Sequence, residues 1–325
     1  MYNEFLNEIE KADTIVILGH KRPDGDCVGS CLGLYNYITD NYSGKNVDIY
    51  LDAFKSEFMF LRGADQVLHE KKDKTYDLCL SLDSAELDRH GEFVTYFHSA
   101  KRRICVDHHI SNQGFGDLCY LKTECSSAAE AIFTLLDETL ISTYCAECLY
   151  LGIVHDTGVF KYSNTTRQTM EIAGRLIEKG VRNAYIIDGT FYKKTFKQNK
   201  MLARALDASY LKLDGKVIVS CLTKDVFDEN QATNLDTDGI VDALRITDGV
   251  ECALWMYEYP NKGTFKCSLR SNDIVDVNSI AGAFGGGGHV RAAGCEVTGD
   301  KDLIICDILE RIAEQIQSKQ GIRNV

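Results

Sequence analysis

Through the first half of the chain, short apolar runs alternate with segments whose apolar residues recur every three to four positions. Residues 13–19 (DTIVILG) suit a buried strand, and the stretch after Asp26 carries helical periodicity through Cys31, Leu34 and Ile38. Further buried strands are predicted at 47–51, 76–82 and 103–106. Helices are predicted at 127–136, 143–154 and 166–179, the last stopped by Gly180 as a C-terminal cap would stop it. Residues 1–11 read as an amphipathic helix rather than a signal peptide. Strand–helix alternation of this kind predicts an α/β fold, a mostly parallel doubly wound sheet with helices on both faces.

From 188 to 209 the pattern turns long, polar and helical, with Lys193, Lys194, Lys197 and Lys200, and reads as a connector. Beyond it, strands at 217–222, 251–257 and 264–269 and helices at 237–246, 277–283 and 302–317 predict a second, smaller α/β domain. The expected organisation is therefore a first domain over 1–187, a helical connector over 188–209 and a second domain over 210–325. The 325 residues exceed the size at which one core stops growing.

Charge narrows the partners. The formal net charge is −12, which disfavours long nucleic acid, because that affinity comes from many Lys and Arg contacts to phosphates. A short anionic ligand remains compatible if metals and a few local cations supply the field. No apolar stretch is long enough to cross a membrane, so no membrane partner and a cytoplasmic location are expected. The 13 cysteines are odd in number and scattered, as reduced thiols would be. Cys145 and Cys148 fall in a helical run without a second pair, and Cys27 and Cys31 share a helix face, so both pairs read as small hydrophobes.

Four acidic or histidine clusters sit where apolar elements end. They are His20-Lys-Arg-Pro-Asp24-Gly-Asp26, Asp83, Asp107-His108-His109, and Asp156 in His155-Asp-Thr-Gly158. In a doubly wound sheet the carboxyl ends of the strands form one crevice, where ligands bind. A lone aspartate at a strand end is usually a cap or turn residue, and a lone histidine a satisfied loop residue. Five aspartates and three histidines exceed what a structural site uses, and oxygen and nitrogen donors without cysteine favour Mn²⁺ or Mg²⁺ over structural zinc. There is no Gly-x-Ser-x-Gly elbow and no Walker-type Gly-Lys-Ser/Thr run.

The chain resembles the DHH phosphoesterases over nearly its whole length. The resemblance rests on His20 to Asp26, Ser81-Leu-Asp83-Ser84, DHHISNQGFG from Asp107 to Gly116, Cys125-Ser-Ser-Ala-Ala-Glu130, and HDTGVFKYSNT from His155 to Thr165. It ends with Gly285-Gly-Gly-Gly-His289-Val-Arg-Ala-Ala-Gly294 of the DHH-associated C-terminal domain. Among the family's branches it looks like the compact nanoRNases with pAp phosphatase activity, cousins of cyclic-dinucleotide phosphodiesterases. The resemblance implies two Mn²⁺ per chain, with Mg²⁺ or Co²⁺ as substitutes, and an active-site cleft between the domains. His20 and Asp24 would hold one ion, Asp26, His108 and Asp156 the other, with Asp83 as the bridge. His109 would face the scissile phosphate, and Asp107 would orient a ligand histidine. Val290 stands where the family often has proline, and His155 where a smaller or polar residue is usual, which leaves a local pH effect open.

In the second domain a glycine run alone reads as a hinge. Beside a two-metal domain, Gly286, Gly287, Gly288, His289, Arg270, Ser271 and Arg291 read as a phosphate holder, the glycines offering backbone N–H groups. The implied activity is metal-assisted hydrolysis of short oligoribonucleotides or pAp. The alternatives are a cyclic di-AMP or pApA phosphodiesterase and, from another class, a nucleotide-binding regulator. The oligomeric state is open, a homodimer included.

Overall fold

The computed structural model describes residues 2–258 and 260–323; Met1 of the predicted helix 1–11 lies outside the described residues, as do 324 and 325. The chain divides into two compact units, Met1–Lys193 and Lys194–Val325.

The first unit holds five parallel strands, β1 (Thr14–Leu18), β2 (Asn46–Tyr50), β3 (Leu78–Leu82), β4 (Arg102–Asp107) and β5 (Leu118–Leu121), in the order β2-β1-β3-β4-β5. TIVIL and LCLSL are apolar on both faces because both are covered. Ile15, Ile17, Leu80 and Ile104 point into one core layer with helices α1 (Tyr2–Lys11), α2 (Gly25–Asn41), α4 (Ala128–Phe133), α5 (Thr143–Asp156) and α6 (Arg167–Glu178). Val16, Leu18 and Cys79 point the other way, against Phe93 and, from the helix α3 (Val94–Ser99), Tyr96 and Phe97. A short helix α7 (Asn183–Ile187) follows α6, whose C-terminal Gly180 has φ +91, as the predicted stop requires.

Two features fix the ends that carry chemistry. The chain order switches sides between β1 and β3, which opens a crevice above their carboxyl ends. Helix α2 also packs very closely on α5: a Cβ at Gly29 would lie 2.5 Å from the Cys148 carbonyl oxygen, and one at Gly152 2.6 Å from Asp26 Oδ1. Glycine at these positions lets the N-terminus of α2 and the C-terminus of α5 converge.

The second unit is a mixed sheet with helices. Helix α8 (Phe196–Asp207) lies in the segment read as a connector and belongs to this unit. It leads to β6 (Tyr210–Lys212), β7 (Val217–Leu222), α9 (Lys224–Glu229), α10 (Ile240–Arg245), β8 (Cys252–Glu258) and β9 (Thr264–Ser271). There follow α11 (Val277–Ala283), β10 (Gly287–His289), β11 (Ala292–Thr298) and α12 (Lys301–Arg323). The strand order is β10-β11-β9-β8-β7-β6, with β7 and β8 parallel and the other neighbours antiparallel. No helix among the described residues is long and apolar enough to cross a membrane.

Candidate active site

His20 follows β1, Asp83 follows β3, and Asp107-His108-His109 closes β4, so parallel pairing delivers all three groups to one edge. Asp24 is the N-cap of α2, its Oδ1 accepting from the N–H groups of Asp26 and Cys27, both at 3.1 Å. Asp26 in the first turn is buried and accepts the N–H groups of Ala128 (2.6 Å) and Ala129 (3.0 Å) at the start of α4. Asp156 is the last residue of α5.

Asp83 lies at the centre. Its Oδ2 is 3.5 Å from His20 Nε2, and its Oδ1 is 3.6 Å from His108 Nε2. Each carboxylate oxygen thus faces a different imidazole. On the His20 side lies Asp24, 3.8 Å from His20 Nε2; on the His108 side lie Asp156 at 3.4 Å and Asp26 at 3.9 Å. All six residues predicted as ligands come together, with Asp83 between two half-sites. Asp83 has φ +51, a left-handed conformation that Asp and Asn tolerate better than most residues.

The charges are crowded. Burial pushes the Asp26 carboxyl well up, and Asp83 and Asp156 push it further; burial, with Asp83 and Asp24 beside it, raises Asp156 to about 6. Burial works against protonation of His108, yet Asp83, Asp26 and Asp156 lift it to about 10. Burial likewise opposes His20, but Asp24 and Asp83 push its imidazole well up. Burial would raise Asp83, and the two histidines hold it below the usual carboxylate range. A buried cluster with this many anions needs internal cations, and divalent ions are the strongest available. The donors fit: His20 Nδ1 donates to the Lys21 carbonyl (2.8 Å), which leaves Nε2 free to coordinate. The Cys27 thiol shares the His20 end of the site and accepts the His20 backbone N–H at 3.2 Å.

Two expectations need correction. Asp107 does not orient a metal-facing histidine: its Oδ1 accepts from His109 Nδ1 at 2.8 Å, while His108 turns towards Asp83. That bond is the main reason the half-exposed His109 is raised above its ordinary value. His155 has no titration in the neutral range, because burial lowers it to about 4. It is wedged between Phe58 and Phe191, bonds Thr190 at 2.9 Å, and covers Gly25, where a Cβ would lie 2.2 Å from its ring.

In the second unit, strand pairing puts His289, Ala292 and Arg270 in one row across β10, β11 and β9, with Arg291 next to it. Arg270 Nε lies 3.7 Å from Asp242. Arg291 Nη1 donates to the Val275 carbonyl at 3.0 Å. Here too the structure differs from the sequence reading. Ser271 is buried and its hydroxyl donates to the Val275 carbonyl (2.6 Å), so it closes a turn. The glycines form an edge strand rather than a free anion loop: Gly287 and Gly288 pair with Gly294 and Ala293, and the Gly288 N–H is taken by Asn278 Oδ1 at 2.8 Å. A Cβ at Gly286 would lie 2.2 Å from the Gly294 carbonyl, which explains glycine there by packing.

Residues 14–153 match the DHH family N-terminal domain, and residues 214–318 match the DHHA1 domain. A relative from Streptococcus mutans, the probable bifunctional oligoribonuclease and PAP phosphatase NrnA, is 30% identical over 90% of this chain and 92% of its own length. The chain belongs to the DHH family. The bifunctional oligoribonuclease and PAP phosphatase NrnA of Bacillus subtilis is 28% identical, covering 95% of this chain and 97% of that protein. The crystal structure of an exopolyphosphatase-related protein from Bacteroides fragilis superposes with a TM-score of 0.83 at 26% identity, over 96% of this chain and 95% of that one. This DHH protein is therefore a hydrolase of the phosphoesterase class.

Three residues around the DHH motif escaped the sequence reading. Asn112 is buried and donates to Asp107 Oδ2 (2.8 Å) and to the Ser84 carbonyl (3.1 Å), tying β4's motif to the Asp83 turn. Its signal was its place in the DHHISNQGFG run. His90 donates from Nδ1 to the Gly19 carbonyl (2.9 Å) and accepts at Nε2 from Ser81 Oγ (2.7 Å), joining the ends of β1 and β3. Burial keeps it neutral, lowered to about 4. A single histidine in a polar loop carries no sequence signal for such a clamp. Buried Glu130 accepts from the Ser126 hydroxyl (2.6 Å) and Thr169 (2.8 Å), bracing the turn that presents α4's N-terminus to Asp26.

Proposed function

We propose that the chain is a manganese-dependent phosphoesterase that hydrolyses short nucleotide substrates, oligoribonucleotides of a few residues and PAP. The observation that carries this reading is the division of Asp83, one oxygen towards His20 and the other towards His108. A carboxylate shared by two half-sites is what a pair of divalent ions requires. His20 and Asp24 would hold one ion, and Asp26, His108 and Asp156 the other. The carboxylate and imidazole set suits Mn²⁺, with Mg²⁺ or Co²⁺ as substitutes. When bound, such ions supply charge for the phosphoryl oxygens and make water a better nucleophile at neutral pH.

The chain's own groups do the rest. The N–H groups of Ala128 and Ala129 fix Asp26, and the Lys21 carbonyl fixes the His20 tautomer. Asp107 accepts from His109 Nδ1 and favours the charged ring, so in its protonated form His109 would offer Nε2–H to charge developing on the phosphate. In this reading the second unit holds non-reacting phosphate through Arg270, His289 and Arg291. The names of the Bacillus and Streptococcus relatives support the substrate class. The test is the metal-stripped full chain, with Mn²⁺ restored, against pAp, pApA, a short oligoribonucleotide and cyclic di-AMP. Turnover of pAp and short oligoribonucleotides is expected. Turnover of cyclic di-AMP alone would replace this reading with a cyclic-dinucleotide phosphodiesterase.

A further inference from the structure

Thirteen cysteines are unpaired, and one pair is placed for chemistry. Cys105 of β4 and Cys119 of β5 are direct partners in the parallel register. Residues opposite one another on paired strands point to the same face. Neighbouring strands run about 4.7–4.9 Å apart, inside the range of about 4.4–6.8 Å between Cα atoms that a disulfide spans. Cys105 is buried, whereas Cys119 is exposed on a four-residue strand at the sheet's edge. An edge strand is hydrogen-bonded from one side only, so β5 can shift towards β4 more readily than a central strand. The Cys105 thiol beside it also brings the Cys119 thiol down to about 7, so thiolate is present at neutral pH.

We propose that Cys105 and Cys119 are an oxidation site for a peroxide-class oxidant, closing to a disulfide that reversibly distorts the catalytic loop. Cys119 thiolate attacks one peroxide oxygen and breaks the O–O bond, giving a sulfenic acid and, after protonation, one water. The Cys105 thiol then attacks that sulfur, the S–S bond forms, and the hydroxyl leaves as a second water. Two electrons pass from the two sulfurs to the peroxide. The new bond closes a ring over 105–119, which contains Asp107, His108, His109 and Asn112. Cys105 Sγ is also a contact of Asn112 Nδ2 (3.6 Å), the same amide that holds Asp107 Oδ2. Drawing that sulfur towards β5 disturbs Asn112, then Asp107, then the His109 ring. Cys267 and Cys295 are likewise opposite across β9 and β11, but both are buried and out of an oxidant's reach.

The loss of activity rests on the proposed role of His109; the disulfide does not, and the two are measured separately. The reduced, metal-free full chain is treated with hydrogen peroxide, free thiols are alkylated, and peptides are mapped without reduction. Activity on pAp with Mn²⁺ is read before treatment, after it, and after dithiothreitol. A Cys105–Cys119 linked peptide is expected, with activity falling on the order of a hundredfold, as small misplacements of catalytic groups produce, and returning on reduction. Cys119→Ser, an exposed position outside the catalytic groups, should keep basal activity and resist peroxide. Alkylation of both Cys105 and Cys119 after treatment, or a linkage confined to Cys267 and Cys295, overturns the proposal. Equal inactivation of Cys119→Ser overturns the coupling to the catalytic loop. If the reduced protein does not turn over pAp, the peptide map still decides the oxidation site.

Discussion

Loading the metal centre should release protons, and the structure sets how many. Without ions, His108 is lifted to about 10 and His20 is pushed well above its ordinary value by the carboxylates around them. Both imidazoles are therefore protonated at neutral pH and serve as internal counter-ions to Asp83. A ligand nitrogen must give up its proton, so filling both half-sites expels about two from the imidazoles, with Asp26, whose carboxyl burial pushes well up, adding to that count. Each proton makes affinity rise about tenfold per pH unit, so the two imidazole protons alone should raise the product of the two Mn²⁺ binding constants about a hundredfold from pH 7 to pH 8. Below about pH 6 the dependence should steepen, because Asp156, raised to about 6, then adds a proton. The metal-free protein follows the opposite sign. The raised pKa of His108 gives stability that is full below the ordinary 6.5 and lost as pH climbs through about 10. Its melting temperature should fall over that window while that of the Mn²⁺-loaded protein holds. Calorimetric titration of the metal-free chain in buffers of different ionisation enthalpy counts the protons directly. A buffer-independent enthalpy at pH 7.5, with affinity flat from pH 7 to 8, would refute the reasoning.

Other perturbations follow from the same geometry. Asp83→Asn keeps a residue that tolerates φ +51 but removes the shared charge, so kcat should drop by about three orders of magnitude with the fold intact; a variant holding more than about a tenth of wild-type kcat would show that Asp83 is no bridge. His90→Leu strands the Ser81 hydroxyl and the Gly19 carbonyl, which should cost about 1–3 kcal/mol in urea unfolding and weaken Mn²⁺ binding. An unchanged unfolding midpoint would mean that His90 clamps nothing. Arg270→Ala should raise KM for pApA about ten- to a hundredfold with little change in kcat, as loss of one charge-assisted phosphate contact does. A large kcat loss on bis-p-nitrophenyl phosphate would instead put Arg270 at the reacting atoms. With net charge −12 there is little to hold a polymer, so turnover of a thirty-mer should lag far behind that of a dinucleotide; equal rates would contradict this.

Much of this architecture is legible in hydrophobic pattern. Val217–Leu222 and Val277–Ala283 form as their apolar spacing predicts, and the buried parallel strands depart from prediction by two residues at most. Predicted residues 76–77 fall outside β3: the Asp77 carboxylate takes the Thr14 N–H and hydroxyl, contacts that no periodicity reveals. The short edge strands β5, β6 and β10 lie outside the predicted elements: β6 and β10 are exposed three-residue segments without an apolar run, and β5, apolar as LCYL, is only four residues long. The glycine run reads as a loop by propensity, and only the closeness of β11's backbone explains it as a strand. At the site, the ligand types and the strand ends carrying them are visible, whereas partner choices are not. Adjacency suggests Asp107 with His108, but side chains alternate along an extended chain. Asp107 and His109 therefore share a side, and His108 turns towards Asp83. His90 is legible only after pairing of β1 with β3 has brought Gly19 and Ser81 together.

The central claim is that Asp83 divides one metal centre into two. Anomalous diffraction from crystals of the full chain soaked in Mn²⁺, collected at the manganese edge, tests it most directly. The account predicts two peaks about 3.5–4 Å apart, one beside His20 and Asp24, the other among Asp26, His108 and Asp156, with one Asp83 oxygen on each. A single peak, or two peaks that do not share Asp83, would contradict it.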